Sequence, residues 1–475
     1  MSNWLKLGGL TGISRVLGLA RDIICANIFG ASLDFDAFIV AFQIPNFMRR
    51  LFAEGALTQA FVPLYNELAP AQQKLFSGMV LGLVTLLTSL LVLTAWFAGK
   101  ALIYLYAPGF INSGQLEMAV KLLHWTMPYI VAISIATLCA GIQNSHKQFI
   151  LTGALPLILN LCLIAASMNA SVLTLAKAVC LSGLIQASTM LFASIKHLGS
   201  ITINFQDENM RKLLKLMLLG SLAAIIGQIS TMLDTFLASW LEVGSVSWIY
   251  YAQRLVLLPV GIVAVAIATV ALPELTRLKT LPEKFEQKLN QALSTVWQIS
   301  WPAALGLMVL APNIVGVFFH HGAFNTHSAV VTSNIVFVLA LGLPAFMLNK
   351  VLIAACYAKK QMQDPIQALS ISLVINAILG IILVASIQQI GIALASIIAA
   401  WSQTLLLSRK FNLNFIDKVA PFVAIIMAFV LLILLPKFSQ TSNLLTIASL
   451  IPIGVISYEL GLRCFQKSLT NILYD

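Results

Sequence analysis

Long, continuous apolar runs alternate with short polar segments along the whole chain. A membrane-spanning helix needs about 20 mostly apolar residues, whereas a spanning β-strand shows a short segment of alternating polarity. The runs are continuous, so the sequence predicts an all-α, polytopic membrane protein with about fourteen transmembrane helices. The predicted helices cover residues 7–30, 35–65, 76–106, 119–144, 150–168, 173–195, 213–241, 246–273, 289–319, 328–358, 366–386, 389–408, 419–436 and 443–464.

Several predicted helices are longer than a bilayer requires, and prolines inside them predict kinks. The candidate kinks are at Pro45, Pro63, Pro259, Pro302, Pro312 and Pro344. The first apolar segment contains Arg15, Arg21 and Asp22, which the apolar core of a cleavable signal peptide does not tolerate. We therefore predict that this segment is a transmembrane helix with a function of its own.

The composition supports a membrane protein. Of the 475 residues, 59% are hydrophobic and 9% are charged, and the mean hydropathy is +0.93. Soluble domains carry about 25% charged residues, so the composition excludes an ordinary cytosolic enzyme, a disordered chain and a disulfide scaffold. The net charge of +11 favours loops facing an anionic cytoplasmic leaflet over binding to nucleic acid.

The distribution of basic residues predicts the orientation. If the N-terminus is cytoplasmic, most lysines and arginines of the loops lie on the cytoplasmic side. The opposite loops then hold only Lys121 and Lys437, with Lys100 and Lys177 near helix ends. This asymmetry follows the positive-inside rule and predicts that both termini are cytoplasmic.

Two parts of the chain resemble each other at an offset of about 210 to 216 residues. The segment 59–64, QAFVPL, aligns with 269–274, TVALPE, and LPLILN at 155–160 aligns with ISLVIN at 371–376. Because each half contains an even number of helices, both insert in the same orientation, as in transporters built from parallel repeats. We predict two six-helix bundles, residues 1–200 and 201–412, followed by two additional helices in residues 413–475.

Ionisable residues inside the predicted helices need an explanation, since each costs about 3 kcal/mol or more at the centre of a bilayer. They are Arg15, Arg21, Asp22, Asp36, Arg49, Arg50, Glu54, Asp234 and Arg254. Some could form buried ion pairs: Arg15 and Asp22 are seven residues apart, on one face of a helix. The arginines outnumber the nearby carboxylates, however, and guanidinium groups bind phosphate and carboxylate in a bidentate manner. The set predicts an anionic substrate such as a diphosphate.

Enzyme motifs are absent from the sequence: it has no Walker A loop, no HExxH and no GxSxG. The group His320, His321 and His327 has a spacing that could bind a metal, but histidines of an outer loop are the simpler interpretation. We predict a transporter without cofactors. Without an ATP site, uphill transport must use an ion gradient or the membrane potential.

Six stretches together resemble one family. They are SRVLGLARD at 14–22, DAF at 36–38, PNFMRRLFAEGA at 45–56, QAFVP at 59–63, APGF at 107–110 and GSVSWIYYAQRL at 244–255. These stretches closely resemble the MurJ (MviN) family, lipid II flippases of the multidrug/oligosaccharidyl-lipid/polysaccharide exporter superfamily. The resemblance covers nearly the whole chain, is densest in the first 65 residues and weakens beyond about residue 410.

The resemblance implies a bacterial inner-membrane protein that moves lipid II, the undecaprenyl-diphosphate-linked peptidoglycan precursor, from the cytoplasmic to the periplasmic leaflet by alternating access. It implies that Arg15, Arg21, Arg49 and Arg254 hold the diphosphate in a central cavity. It also implies functional roles for the acidic residues Asp36 and Glu54 and the polar residues Ser247 and Asn160. On an ideal helix Arg50, not Arg49, shares the face of Asp36 and Glu54, but Pro45 can rotate the register, and the family favours Arg49.

The same resemblance implies that the two last helices form a groove for the polyprenyl tail, and that cell-wall synthesis or division proteins are partners. Two positions depart from the family pattern. Gln253 stands where an acidic residue is expected before Arg254. Asp234 and Asn376 match part of a sodium site, but Gly380 stands where its second acid is expected, so only a partial site is predicted.

Three alternatives stay open at this point. A related exporter could carry another lipid-linked oligosaccharide, although the arginines disfavour a cationic drug. A membrane-embedded enzyme acting on polyprenyl phosphates would need a cluster of catalytic carboxylates or histidines at the phosphate site. A scaffold of the division machinery would have no use for buried arginines.

Overall fold

The structure is a computed structural model that describes residues 3–51, 56–438 and 442–472, and within these ranges it contains helices and no strands. The α-helices are α1 (Asn3–Phe29), α2 (Leu33–Arg49), α3 (Ala56–Glu67), α4 (Pro70–Phe97), α5 (Gly99–Tyr106), α6 (Leu116–Thr126), α7 (Tyr129–Ser145), α8 (Ile150–Ser167), α9 (Val172–Ser194), α10 (Glu208–Ala238), α11 (Ser245–Pro259), α12 (Val265–Leu278), α13 (Pro282–Phe318), α14 (Thr326–Ala340), α15 (Leu343–Ala358), α16 (Gln363–Ser408), α17 (Val419–Leu434) and α18 (Asn443–Ile472).

The all-α membrane fold is confirmed. Among the described residues, nine helical segments are long and apolar enough to cross a membrane, or ten when the bent pair α14–α15 is taken as one span. Each of the predicted transmembrane segments coincides with helical structure. The exact number of fourteen spans stays a prediction, since segments such as α1 and α2 are too charged or too short to qualify by length and hydropathy alone.

Several predicted helices are broken in the structure. The third, 76–106, consists of α4 and α5, and the described part of the second, 35–65, contains α2 and α3. The tenth is bent by 49° between α14 and α15, just before Pro344. Proline cannot donate the backbone hydrogen bond of a helix interior and clashes with the preceding turn, so it lies at the start of α15.

Helices in the second half of the chain are irregular at two of the predicted places. A π-helical turn, Val260–Ala264, follows Pro259 and connects α11 to α12, as expected where proline disturbs the regular hydrogen-bonding ladder. By contrast, Pro302 and Pro312 lie inside the continuous helix α13. The predicted helices 366–386 and 389–408 are separated at Ile387 and Gln388, whose backbone angles are non-helical within α16.

The chain divides into two compact units, residues 1–247 and 248–475. By its internal contacts α10 belongs to unit 1, whereas the sequence repeat predicts a boundary near residue 200. The predicted bundles were inferred from similar sequence segments, whereas the two units are defined by contacts within the fold. The bundles 1–200 and 201–412 therefore stay a prediction.

The core of unit 1 lies where α3, α4, α7 and α10 meet. Phe61 of α3 stacks on Phe76 of α4 with ring centroids 5.6 Å apart, and Tyr65 packs against Phe61. Leu138 of α7 and Leu213 of α10 are also fully enclosed in this cluster. Burial of these side chains fixes α3, which continues the chain after the arginine-containing end of α2.

A close backbone approach sets the position of the end of α10. Gly109, in the 3₁₀ turn Pro108–Ile111, donates its N–H to Ser239 Oγ at 3.1 Å. A Cβ atom at Gly109 would lie 1.9 Å from the carbonyl oxygen of Ser239, so only glycine fits there. The APGF motif therefore has a structural role in addition to its value as a family signature.

In unit 2 the two last helices pack on each other and on α13. Trp297 Nε1 of α13 donates to the carbonyl oxygen of Asp417 at 2.8 Å, just before α17. Tyr458 Oη of α18 donates to the carbonyl oxygen of Gln298 at 2.6 Å. These contacts attach the additional helices to the rest of the unit, while their predicted groove for a lipid tail stays a prediction.

Candidate substrate-binding site

Arg21 is buried between α1 and α8. Only 8% of the residue is exposed, and its guanidinium donates from Nε and Nη2 to Asp22 Oδ1 at 3.0 and 2.6 Å. Nη1 donates to Asn160 Oδ1 of α8 at 3.1 Å, and Asn160 Nδ2 donates to the carbonyl oxygen of Ser14 at 3.2 Å. This network fixes the direction of the guanidinium and joins two helices through predicted site residues.

Arg15 lies one to two turns earlier on α1 and is half-buried. Its side chain makes no hydrogen bond or ion pair with the part of the chain that the structure describes. The proposed alternative, an ion pair between Arg15 and Asp22, is wrong because Asp22 pairs with Arg21 instead. The flexible Arg21 side chain can reach its neighbour's carboxylate directly, and helix periodicity does not predict such a contact.

Arg49 lines a cavity inside unit 1. The cavity has a volume of about 180 Å³ and is lined from α2, α3, α7, α8 and α9. Arg49 Nη1 donates to Tyr129 Oη at 3.5 Å, a long hydrogen bond. Arg50 points elsewhere: it is exposed and its Nη1 donates to Gln228 Oε1 of α10 at 2.9 Å.

The different directions of Arg49 and Arg50 have a local cause. Helix α2 contains Pro45 and ends at Arg49, and a π-type turn begins at Arg50. Arg50 still has helical backbone angles, so the two side chains differ in direction because adjacent residues of a helix point about 100° apart. Glu54, the acidic residue predicted on the same face, lies outside the described residues.

Asp36 holds the beginning of α11. Asp36 Oδ2 accepts from the N–H of Gly244 at 2.7 Å, and Oδ1 accepts from the N–H of Ser247 at 2.9 Å and also from the Ser247 hydroxyl. Backbone N–H groups in the first turn of a helix have no partner within the helix. The buried carboxylate of Asp36 on α2 supplies such a partner and also complements the positive end of the helix dipole. Two predicted site residues thus contact each other.

Arg254 belongs to unit 2, on α11 after the boundary. It is exposed, its guanidinium carbon lies 4.7 Å from the centre of the Tyr250 ring, and its Nη2 donates to Tyr250 Oη at 3.0 Å. The aromatic side chain one turn earlier restricts the arginine while leaving the rest of the guanidinium accessible. Gln253, the departure from the family pattern, is half-buried.

The residues of the partial sodium site are distributed over both units. Asp234 is buried on α10 of unit 1, whereas Asn376 and Gly380 are buried on α16 of unit 2. Across the described ranges, no group of three or more His, Cys, Asp or Glu side chains is arranged to hold a metal ion. His321 and His320 contact a backbone carbonyl and Thr326, respectively.

Sequence reasoning missed four residues around Arg49. Tyr129, Asn144, Thr152 and Gln186 line the same cavity but were treated as ordinary residues of apolar helices. Amide and hydroxyl side chains in membrane helices are hydrogen-bonding groups that usually face the protein interior. Their presence inside predicted spans is the available signal, although no spacing rule connects residues on three different helices.

The chain is similar to known proteins over most of its length. The probable lipid II flippase MurJ of Buchnera aphidicola subsp. Acyrthosiphon pisum is 35% identical, over 84% of this chain and 81% of the relative. The lipid II flippase MurJ of Burkholderia cenocepacia is 32% identical, over 85% of this chain and 82% of the relative. A solved structure of lipid II flippase MurJ in an inward closed conformation superposes with a TM-score of 0.86 at 28% identity, covering 98% of this chain and 99% of that one.

A more distant similarity extends to multidrug transporters. An inward-facing MATE family transporter of the MOP superfamily matches with a TM-score of 0.66 at 15% identity, over 90% of this chain and 96% of that chain, which shows a shared fold. The family model described as lipid II flippase MurJ matches residues 25–459. This chain therefore belongs to the lipid II flippase MurJ family, a family of transporters and not of enzymes.

Proposed function

We propose that this protein moves lipid II from the cytoplasmic to the periplasmic leaflet of the bacterial inner membrane by alternating access. The full-length similarity to lipid II flippases supports the substrate. The observation that carries the mechanism is the set of arginines in the apolar unit 1, where Arg21 is buried and Arg15 and Arg49 are partly buried. Such side chains are costly in a membrane unless they serve a substrate or an ion pathway.

The arginines suit the diphosphate of lipid II. A guanidinium stays charged at all relevant pH values and donates two parallel hydrogen bonds to phosphate oxygens, whereas a lysine acts as a point charge. In this proposal Arg15, Arg21 and Arg49 of unit 1 and Arg254 of unit 2 bind the diphosphate. Arg49 is preferred to Arg50, because Arg49 is partly buried whereas Arg50 is exposed and contacts Gln228.

The polar neighbours act mainly through other residues. Asn160 directs the Arg21 guanidinium by accepting its hydrogen bond. Asp36 and Ser247 fix the start of α11, the helix that carries Arg254. For Glu54 the family resemblance implies a functional role.

The energy source in this proposal is the membrane potential or an ion gradient. Moving one elementary charge across 100 mV changes the free energy by about 2.3 kcal/mol. An inside-negative potential therefore favours outward movement of an anionic headgroup. The incomplete sodium-site pattern of Asp234, Asn376 and Gly380 gives sodium no assigned role in this mechanism.

The proposed movement uses the irregular points of the helices. Gly18 on α1, Pro45 on α2 and the π turn after Pro259 lie near the arginines in sequence. We expect the helices to bend at these points when the cavity changes its accessibility from one side to the other. Both termini are cytoplasmic in this proposal, and α17 and α18 bind the polyprenyl tail.

The test is depletion of the protein in its own host, followed by measurement of the leaflet in which lipid II accumulates. We expect accumulation in the cytoplasmic leaflet, reversed by the wild-type gene and by Arg277→Ala. Arg277 is an exposed arginine in the last turn of α12, outside the proposed binding residues, so it is a matched control. Unchanged lipid II distribution after complete depletion would refute the proposal. A parallel assay in liposomes with another polyprenyl-diphosphate sugar tests the alternative of a related exporter.

A further inference from the structure

The cavity beside Arg49 contains polar atoms that the arginine network does not use. It lies within unit 1 and extends along α7 from Tyr129 to Asn144, beside α8 and α9. The loop between α7 and α8 exposes His146, Lys147 and Gln148. Asn144 and Thr152 therefore place one end of the cavity beside this polar and partly basic loop.

Three polar atoms of the cavity wall are buried without a hydrogen-bond partner among the described residues. They are Asn144 Oδ1, Thr152 Oγ1 and Gln186 Nε2. Gln186 is only 1% exposed, and it comes from α9, whereas Asn144 and Thr152 come from α7 and α8. A buried polar group that lacks a partner costs about 1–3 kcal/mol. Three such groups around one cavity indicate a ligand that satisfies them together.

The charge of the wall selects the class of ligand. The wall includes the Arg49 guanidinium, and among the described residues it includes no aspartate or glutamate. A cation is therefore disfavoured and an anion is favoured. The volume of about 180 Å³ is slightly above that of a cavity of about 150 Å³ that binds one benzene molecule. A single phosphate-sized oxyanion fits, whereas a disaccharide does not.

We infer that this cavity is a binding site for free inorganic phosphate, bound as hydrogen phosphate by Arg49, Gln186, Thr152 and Asn144. The guanidinium of Arg49, the amide of Gln186 and the hydroxyl of Thr152 donate to phosphate oxygens. The carbonyl oxygen of the Asn144 side chain accepts from the remaining P–OH group. Hydrogen phosphate offers both kinds of partner, whereas sulfate and the ionised diphosphate diester of a lipid carry no hydroxyl.

The inference rests on the proposed function only through Arg49, which both share. Phosphate at this site is expected to compete with the substrate for Arg49 and to weaken transport at high concentration. Phosphate binding itself requires no transport, so it can be measured independently.

The test is titration calorimetry on the purified full-length protein in detergent at pH 7.5 and constant ionic strength. We expect saturable binding of inorganic phosphate, and binding of sulfate and of methyl phosphate at least tenfold weaker, because a buried acceptor lacks its donor in both complexes. Gln186→Glu introduces a like charge and should weaken phosphate binding at least tenfold. The matched control is Gln148→Glu, the same change on the exposed loop of the same unit, which should leave phosphate binding unchanged.

A second, smaller change keeps the inference testable if the Gln186→Glu variant does not fold. Thr152→Val removes one hydroxyl donor and should weaken phosphate binding by about threefold to tenfold with an unchanged elution profile. Absence of phosphate binding to the wild type, equal binding of sulfate, or full binding by both cavity variants would each overturn the inference. Wild-type protein that binds phosphate but does not flip lipid II would refute the proposed function alone.

Discussion

The contact between Asp36 and the beginning of α11 gives a prediction that separates a structural role from a substrate-binding role. Asp36→Asn keeps the shape of the side chain and removes its charge. An amide has one acceptor oxygen, so it can retain the hydrogen bonds with Ser247 but turns an NH₂ group toward the N–H of Gly244. That N–H, which now lies 2.7 Å from Asp36 Oδ2, would lose its partner.

The expected cost follows from these hydrogen bonds. Replacing charge-assisted hydrogen bonds to Ser247 by neutral ones costs about 1 kcal/mol, and an unsatisfied buried N–H at Gly244 costs about 2 kcal/mol more. The total is about 3 kcal/mol. For a cooperative unit of about 250 residues, 1 kcal/mol corresponds to about 2 °C in melting temperature. We therefore expect Asp36→Asn to lower the melting temperature by about 6 °C.

The assay is thermal unfolding of purified protein in detergent at one fixed scan rate, because large proteins often unfold irreversibly. Asp34→Asn is the matched control: it makes the same charge change two residues earlier on α2, at an exposed position. The control should melt within about 1 °C of the wild type. Equal melting temperatures for the two variants would refute the helix-anchoring role. Lost flipping without lost stability would show instead that Asp36 acts on the substrate.

Three further predictions use other contacts. Arg21→Ala should abolish complementation, and Arg21→Lys should restore it only in part, since one ammonium nitrogen cannot reproduce the forked contacts of Arg21 with Asp22 and Asn160 and also donate in parallel to phosphate. Full growth with Arg21→Ala at normal expression would contradict the role of Arg21. Gly109→Ala should destabilise the protein by about 2 kcal/mol or more in the same unfolding assay, because the added Cβ would overlap the Ser239 carbonyl. The control Gly306→Ala on α13 has open space around the new Cβ and should not lower stability. A disulfide between cysteines introduced at the outer ends of α2 and α11 should block lipid II flipping until it is reduced, and undiminished flipping with complete cross-linking would exclude the proposed bending.

Much of the fold could be predicted because hydropathy acts over long segments. About 20 apolar residues are enough to predict a span, and prolines such as Pro259 and Pro344 indicated where helices are irregular. The division of the predicted third helix, 76–106, into α4 and α5 was not predicted. Apolar residues continue up to Ala98, so hydropathy alone does not indicate this break.

The candidate site was predictable in composition but not in its pairings. Buried charges are visible in the sequence because they are exceptional in an apolar segment, so Arg21 and Asp36 could be recognised as important. Their partners could not be predicted, because a long side chain can reach several neighbours at similar distances. Arg21 therefore pairs with the adjacent Asp22 and with Asn160 on another helix, and Asp36 pairs with backbone groups that the sequence does not distinguish.

The pairings themselves strengthen the argument for an anionic substrate. In the described part of unit 1, the carboxylate of Asp22 is engaged by Arg21, and that of Asp36 is engaged by the first turn of α11. Neither is therefore available to balance Arg15, which is half-buried on the same helix as Arg21. A guanidinium in an apolar surrounding needs a counter-charge, because its desolvation otherwise costs several kcal/mol. We expect a phosphate group of the substrate to supply this counter-charge, so replacement of Arg15 should affect transport more than stability.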